Sequence, residues 1–406
     1  MNGDFPIENL PFGIFSRDGE RRSVGVAYGD DIVDLAKIAR ARLLDDVVKD
    51  AVEIFESPTL NPFLATGHGA WRETRVRLQT ILKEKAKSKE FLVARPLTRM
   101  YMPIEIGDYV DFYSSIEHAT NVGRLFRPGG DPLMPNYRHI PIGYHGRTAT
   151  VSVGDKVRRP SGQTKAADES APSFGPSRQL DFELELGFIV GLSNGEGQPI
   201  PTDDAADYLF GVVLLSDWSA RDLQAWEGQP LGPFLSKSFA TTISPWVVTL
   251  DALLPYRVAN REQDPKPLEY LRVDAPWAFD IDLSVSLQSR AMQMAREKPK
   301  EIVRVNFRNM YWNAAQQLAH LTSNGSIVRT GDLLGSGTIS GTDEGSYGSL
   351  LEATLRGARP LALTNAESRT FLEDGDTVVM HGLSARPGLP RIGFGELRAT
   401  IAASES

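Results

Sequence analysis

The chain has 406 residues, of which 41% are hydrophobic and 24% are charged, as is typical of a globular protein with a large core. It has no cysteine, which excludes disulfide bonds, thiolate metal ligands and cysteine nucleophiles. Its net charge of −8 argues against a nucleic-acid surface, and no apolar stretch approaches the ~20 residues of a membrane span. The first residues do not resemble a secretory signal, so we expect a cytoplasmic chain that binds neither nucleic acid nor membrane.

The first hundred residues predict a small unit of strands with one long helix. Short β-prone segments, Phe12–Phe15 and Ser23–Asp34, are separated by Gly and Asp. Apolar residues spaced for one face predict a helix from Thr66 to Ser88. Two prolines near residue 100 mark the passage to the next unit. We therefore predict an N-terminal domain over residues 1–102 and a C-terminal domain over residues 103–406.

The remainder predicts a mostly β fold, because apolar strand patterns alternate with Gly and Pro. Strands are predicted at Phe182–Val190, Phe279–Leu287, Ala353–Leu355 and Thr377–Met380. One helix is predicted from Arg308 to Leu321, because an Asn-Gly pair follows as a stop signal. The polar segment Gly154–Ser177 is rich in Pro, Ser and Lys, so it predicts a long surface loop.

Four acidic residues are candidate metal ligands. Glu183 and Glu185 are two apart on a predicted strand, so their side chains share one face. Two carboxylates entering a core repel each other, and a divalent cation with oxygen ligands is the simplest compensation. Asp217 follows an apolar run, and Asp111 lies in a polar, aromatic stretch. The alternatives are a solvated strand face for the glutamates and a turn or cap role for each aspartate.

Five other residues are candidates for acid–base and anion-stabilising roles. His118 is a candidate base, because the ordinary imidazole pKa of ~6.5 lies near working pH. Glu352, in a segment predicted as a strand, could orient it. Arg221 and Gln224 are spaced for one face of a short helix, and Lys237 lies among apolar residues and needs an anionic partner. Each alone is also compatible with a structural role or an ordinary surface charge.

A glycine-rich segment, Gly335–Gly341, surrounds Thr338. Such a turn can bring backbone N–H groups close to a ligand, although a plain strand connection is the alternative. It lacks the lysine pattern of a phosphate-binding loop. The chain also lacks the metalloprotease, serine-hydrolase and dinucleotide-binding signatures.

A series of motifs, in one order along nearly the whole chain, resembles the fumarylacetoacetase family. The motifs are Phe5–Gly13, Asp111–Ser115, His118–Gly123, Gly143–Arg147, Glu183–Glu185, Asp217–Asp222, Leu231–Phe234, Lys237–Phe239, Gly337–Gly341 and Gly393–Gly395. Each motif alone is weak, whereas the set in register is specific.

The resemblance implies a mostly β (α+β) subunit. An N-terminal SH3-like small β-barrel would precede a larger mixed β-sandwich roll that carries the active site, and the subunit would form a homodimer. It also implies hydrolysis of a carbon–carbon bond in a small diketo acid, 4-fumarylacetoacetate, to fumarate and acetoacetate. The implied cofactor is a divalent metal, Mg or Ca.

The resemblance also assigns expected roles to residues of this sequence. The metal ligands correspond to Asp111, Glu183, Glu185 and Asp217, with a second ion site at Asp217, Lys237 and Thr241. The base corresponds to His118, oriented by Glu352, and the oxyanion group to Arg221, Gln224 and Lys237. Substrate contacts correspond to Tyr113, Arg127, Tyr144 and Thr338.

One position departs from the family pattern. Gly228 stands where the family usually has a tyrosine that contacts the substrate. The departure leaves the metal, base and oxyanion positions unchanged, but it puts one substrate contact in doubt. It could shift specificity toward a related acyl diketo acid.

The alternatives to the implied activity are a related acylpyruvate or diketo-acid hydrolase, a β-keto-acid decarboxylase of the same superfamily, and a catalytically silent metal-binding scaffold.

Overall fold

A computed structural model describes residues 3–84, 88–166 and 168–405. Strands β1 to β26 run, in chain order, at Phe12–Arg17, Ser23–Tyr28, Asp31–Asp34, Leu92–Ala94, Thr98–Tyr101, Tyr109–Phe112, Gly143–Tyr144, Val151–Ser152, Lys156–Arg158, Ser161–Thr164, Ser173–Pro176, Leu180–Asp181, Leu184–Val190, Leu209–Asp217, Ser219–Ala220, Thr241–Ile243, Val248–Thr249, Arg257–Val258, Ala278–Phe279, Asp282–Gln288, Lys300–Asn306, Leu333–Gly335, Leu361–Ala362, Ser368–Arg369, Thr377–Ser384 and Ile392–Ala402. The α-helices are Leu35–Arg40, Ala51–Phe55, Asn61–Leu64, His68–Lys83, Ile116–Phe126, Ala205–Tyr208, Arg221–Glu227, Leu235–Ser238, Leu250–Leu253, Arg290–Met294, Ala314–Thr322 and Leu350–Ala353.

The N-terminal unit is a five-stranded antiparallel sheet in the order β4-β3-β2-β1-β5. Helix His68–Lys83 buries Trp71 and Leu78 beside it. The same apolar core continues into Ile189 and Phe210 of the larger unit, so the two units share packed surface. The sheet ends at Tyr101 and the next strand begins at Tyr109, while the boundary at residue 102 stays a prediction.

The larger unit is built on two sheets that pack around one apolar core. The first has the order β7-β6-β22-β13-β14-β16-β8, with β17 also paired to β14. The second has the order β21-β20-β25-β26-β9. Strands β13 and β14 are buried along their whole length, which explains their continuous apolar runs. The predicted mostly β class, with a small β unit before a larger one, is confirmed.

Three sequence predictions on local structure are wrong. Segment 154–177 is not one loop, because it forms β9 and the β10–β11 hairpin. The predicted strand Ala353–Leu355 is not formed: Ala353 ends the short helix Leu350–Ala353, which the Ser349 hydroxyl caps, and the next two residues form a turn. The predicted helix Arg308–Leu321 begins only at Ala314, where Asn313 and Gln316 form a reciprocal cap.

The predicted helix Thr66–Ser88 is present as His68–Lys83, and residues 85–87 of that prediction lie outside the described residues. The predicted strand from Phe279 is split into β19 and β20 by two intervening residues. Among the described residues, no helix is both long and apolar enough to cross a membrane.

Candidate active site

Adjacent strands of the first large sheet bring the predicted carboxylates together. Asp111 lies on β6, Glu185 on β13 and Asp217 at the end of β14, and all three are fully buried. One oxygen atom from each lies within 4.8 Å of the other two. Glu183 directly precedes β13, and its backbone N–H donates to the Asp217 carbonyl at 2.9 Å. Residues more than a hundred positions apart thus form one acidic cluster because β22 joins β6 to β13.

Three cationic side chains surround this acidic cluster. The Lys237 ammonium donates to Glu183 Oε2 at 2.6 Å and to Asp217 Oδ2 at 2.7 Å. Arg221 Nη1 lies 2.7 Å from Glu183 Oε1. The anionic partner that the sequence requires for Lys237 is therefore present, and it consists of two predicted metal ligands.

Arg147 is the third cation, and sequence reasoning did not assign it a site role. Its Nη2 donates to Asp111 Oδ2 at 2.6 Å and to Asp217 Oδ2 at 2.7 Å. The guanidinium lies over the rings of Tyr109 and Tyr144, with centroid distances of 4.9 and 5.6 Å. The only sequence feature that points to Arg147 is its place in the Gly143–Arg147 motif. Its spacing along the chain from Asp111 and Asp217 does not predict these contacts.

The electrostatics of the acidic cluster favour an additional positive charge. Burial raises the pKa of Asp111 to about 6, although Arg147 opposes the shift. Burial and the neighbouring Asp111 and Asp217 raise the pKa of Glu185 well above its usual range. Burial also acts to raise the pKa of Glu183, but the charges of Lys237 and Arg221 outweigh it and lower that pKa. Glu185 is thus the least compensated carboxylate of the cluster.

Two carboxylate oxygens identify where a cation fits. Asp111 Oδ1 and Glu185 Oε1 are buried and have no hydrogen-bond partner within the described part of the chain. A buried ionised oxygen without a partner is costly, whereas a hard divalent cation is bound by several such oxygens. The donor set therefore fits a divalent cation held by Asp111, Glu185 and Asp217, with Glu183 beside it.

The predicted second ion site has a different character. The Thr241 hydroxyl donates to Asp217 Oδ1 at 3.1 Å, so the three predicted residues are in contact. A protonated amine has no lone pair for a metal, so the Lys237 side chain acts there as a charge and not as a ligand.

The glycine-rich turn reaches the acidic cluster through its backbone. Gly337 has a φ of 77°, and its N–H donates to Glu185 Oε2 at 2.9 Å. A Cβ at this position would collide with the Phe112 carbonyl group, so only glycine fits. The neighbouring Thr338 lines the adjacent cavity.

His118 and Glu352 form a buried pair beside the carboxylates. His118 lies on helix Ile116–Phe126, and its Nδ1 is 2.7 Å from Glu352 Oε2. The same carboxylate accepts hydrogen bonds from Asn121, Ser340 and Ser349, each at 2.9 Å. Burial alone would raise the pKa of Glu352, but His118, Asn121 and Ser349 lower it. Because an ionised carboxylate only accepts, Nδ1 is the donor of this hydrogen bond, and in a neutral imidazole Nε2 then keeps its lone pair.

A cavity of about 230 Å³ joins these groups. Among the predicted site residues, its lining includes Tyr113, His118, Tyr144, Glu183, Arg221, Gln224, Lys237 and Thr338. Helix Arg221–Glu227 places Arg221 and Gln224 on one face, as predicted, with a hydrogen bond of 3.0 Å between them.

Two predicted contact positions do not line the cavity. Arg127 is exposed at the end of its helix, and its guanidinium donates to the nearby Pro132 carbonyl. Gly228, the departure from the family pattern, ends helix Arg221–Glu227 and also lies outside the cavity lining.

Asp181 is a second residue that sequence reasoning missed. It is fully buried, accepts from Arg221 Nε at 2.9 Å, and accepts the backbone N–H groups of Leu350 and Leu351. One carboxylate therefore orients Arg221 and also anchors the helix that carries Glu352. An isolated aspartate in the sequence gives no signal of this role.

The chain combines a two-unit β fold with a buried carboxylate cluster and a His–Glu pair. Comparison with known proteins identifies the family of proteins to which it belongs. Residues 8–103 match the profile described as Fumarylacetoacetase N-terminal, and residues 109–402 match Fumarylacetoacetate (FAA) hydrolase C-terminal. The chain belongs to the fumarylacetoacetase family, a family of hydrolases.

Similar proteins cover almost the full length. The fumarylacetoacetase of Caenorhabditis elegans is 49% identical to this chain, and the alignment covers 99% of this chain and 97% of the C. elegans protein. That of Homo sapiens is 47% identical, over 98% of this chain and 96% of its own. The solved fumarylacetoacetate hydrolase of Exiguobacterium antarcticum has a TM-score of 0.51 at 15% identity, covering 97% of this chain and 99% of that one. The last comparison supports the fold alone.

Proposed function

We propose that this chain hydrolyses the carbon–carbon bond of 4-fumarylacetoacetate to fumarate and acetoacetate. One observation carries the proposal: His118, which is paired with Glu352, lines the same cavity as the cationic donors Arg221 and Lys237 and the carboxylate of Glu183. The sequence similarity to fumarylacetoacetases over nearly the whole chain supports this choice of substrate.

The cofactor in this proposal is a divalent cation, Mg or Ca, held by Asp111, Glu183, Glu185 and Asp217. When bound, the ion would supply positive charge to the enolised diketone of the substrate. Both ions prefer oxygen ligands, so the donor set fits either of them. Arg147, which contacts Asp111 and Asp217, and Thr241, which contacts Asp217, would hold the ligand carboxylates in place.

His118 is the base in the proposed reaction. Its Nε2 takes a proton from water while Glu352 holds Nδ1 and stabilises the imidazolium that forms. The hydroxide adds to the carbonyl carbon that joins the fumaryl group to the rest of the substrate. Tyr113, whose ring lies edge-on to His118 at 5.4 Å, limits the orientations of the imidazole.

Arg221, Gln224 and Lys237 stabilise the oxyanion that this addition creates. Loss of one such donor typically costs about 2.7–4 kcal/mol of transition-state stabilisation. The tetrahedral species then collapses and the carbon–carbon bond breaks. Its electron pair stays with the acetoacetate carbon, which takes up a proton, and the fumaryl carbon becomes a carboxylate.

Turnover by two histidine variants tests the role of the pair. His118→Asn should abolish loss of the diketone ultraviolet absorbance, because the imidazole that takes the proton from water is removed. His139→Asn is the matched control, since His139 is exposed and lies outside the cavity lining, and it should keep wild-type activity. Chelation should also abolish turnover, and added Mg or Ca should restore it. Most activity remaining after chelation would refute the proposed cofactor.

A related acylpyruvate hydrolase is the second candidate, and Gly228 is the observation that favours it. A shorter acylpyruvate with a higher kcat/KM than fumarylacetoacetate would keep the mechanism and change the substrate. In that case Gly228→Tyr should shift the preference toward fumarylacetoacetate.

We also propose a cytoplasmic homodimer with domains at residues 1–102 and 103–406. The family resemblance supports the dimer and the boundary, and the absence of cysteine suits a reducing compartment. Sedimentation equilibrium tests the dimer, and a monomer at micromolar concentration would contradict it.

A further inference from the structure

We propose that Glu227 is a positioning residue that fixes Lys237 relative to Arg221 and Gln224. Glu227 is the last residue of helix Arg221–Glu227, and its carboxylate reaches the start of the next helix, Leu235–Ser238. The inference rests on the proposed function, because it concerns the geometry of the proposed oxyanion group.

Three hydrogen bonds make this connection. Glu227 Oε1 accepts the backbone N–H groups of Phe234 and Ser236, each at 2.8 Å, and Oε2 accepts that of Leu235 at 3.1 Å. Hydrogen bonds to an ionised acceptor are about twice as strong as neutral ones. One side chain thus binds three successive backbone donors at the beginning of the helix that carries Lys237.

Apart from Glu227, two contacts in the described part of the chain hold the segment between the two helices: the Gly232 N–H donates to the Gly228 carbonyl at 2.8 Å, and the His145 ring lies 5.0 Å from the Phe234 ring. Leu231 is 95% exposed, Phe234 is 58% exposed, and Gly232 adopts a φ of 94°. A helix of four residues is too short to be stable by itself. The position of Lys237 therefore depends on what holds the ends of this segment, and Glu227 ties its end to the preceding helix.

The two helices meet at one carboxylate of the acidic cluster. Glu183 is contacted by Lys237 at 2.6 Å from one helix and by Arg221 at 2.7 Å from the other. Donors that stabilise a transition state must be placed to within about 0.5 Å, and an error of about 1 Å can cost about a hundredfold in rate. A loosened Leu235–Ser238 helix would misplace one donor and leave the other in position.

Activity measurements on two Glu227 variants and a control test the proposal. Glu227→Ala should lower kcat by about 10- to 100-fold and change KM by less than about threefold, because the substrate still enters the same cavity. Glu227→Gln keeps one carbonyl oxygen as an acceptor and should lie between this variant and wild type. Glu344→Gln is the matched control, because it removes only the surface pair with Arg359, and it should leave kcat unchanged.

A double-variant cycle separates positioning from general stability. If Glu227 acts through Lys237, Glu227→Ala should have no further effect on kcat in a Lys237→Met background. Equal losses in both backgrounds, or an unchanged kcat in folded Glu227→Ala, would overturn the proposal.

Limited chymotrypsin digestion provides a readout without substrate. Faster cleavage after Leu231 or Phe234 in Glu227→Ala than in wild type supports the restraint, and equal cleavage rates would refute it. If the wild type does not hydrolyse fumarylacetoacetate, the proposed function fails, while the digestion still decides whether Glu227 restrains the segment.

Discussion

Replacement of Glu352 by glutamine should slow turnover by about a thousandfold. The change keeps the size of the side chain and removes the negative charge 2.7 Å from His118 Nδ1. When His118 becomes an imidazolium, the two charge centres are about 4 Å apart, and their attraction is about 4 kcal/mol at an effective dielectric constant of about 20. At about 1.36 kcal/mol per factor of ten, this loss corresponds to about 10³ in kcat.

The assay is kcat for fumarylacetoacetate, with thermal melting to establish that the variant is folded. Ser340→Ala is the matched control, because it removes one neutral donor to the same Glu352 oxygen, together with the acceptor of the Gly348 N–H, and leaves the charge in place. We expect that control to lose about tenfold or less, since a hydrogen bond to a charged group contributes about 1.5–3 kcal/mol and only part of this acts in the transition state. If folded Glu352→Gln keeps a kcat within tenfold of wild type, the electrostatic role assigned to Glu352 is wrong.

Three further predictions concern the acidic cluster and the contact between the two units. Burial raises the pKa of Asp111 from 3.8 to about 6. Without a bound ion, the folded chain therefore binds a proton at Asp111 more tightly than the unfolded chain does, and this proton stabilises the fold at low pH. The free energy of unfolding, measured in chelator, should therefore fall as pH rises from about 4 to about 6. The affinity for Mg or Ca, measured by calorimetry, should rise over the same range because the ion and the proton compete for Asp111. An affinity that stays constant from pH 5 to 7 would contradict this. Arg147→Met leaves Asp111 and Asp217 without that partner and should cost about 3–5 kcal/mol in urea unfolding with chelator present, with partial recovery on adding the ion. An unchanged unfolding midpoint would argue against it. Gly191→Ala would push a methyl group into the Trp71 ring and should lower the free energy of unfolding by about 1–3 kcal/mol. Gly69→Ala is the control, because Gly69 faces open space on the same helix as Trp71, and it should not lower the free energy of unfolding. Equal melting temperatures for the two variants would refute the close contact.

Local patterns in the sequence predict several parts of the site. The two-residue spacing places Glu183 and Glu185 on one strand face, and the apolar run before Asp217 is the buried strand β14. The spacing of Arg221 and Gln224 gives the predicted helix face. These features depend on strand and helix periodicity alone, so neighbouring residues suffice to define them.

Features that depend on long-range contact are not predictable in this way. His118 and Glu352 are 234 positions apart, and Glu352 lies in the first turn of a helix where a strand was predicted. Asp111 lies on strand β6 and His118 on the following helix, so no single strand or helix periodicity relates their side chains. Arg147 reaches Asp111 and Asp217 only because the sheet brings β6 and β14 near each other.

The most direct test of the central claim is product analysis after turnover of fumarylacetoacetate in ¹⁸O-labelled water with Mg or Ca present. Hydrolysis at the proposed carbonyl predicts fumarate and acetoacetate in equal amounts, with one oxygen from water in the new fumarate carboxylate. No loss of fumarylacetoacetate, or release of carbon dioxide without fumarate, would contradict the proposed reaction.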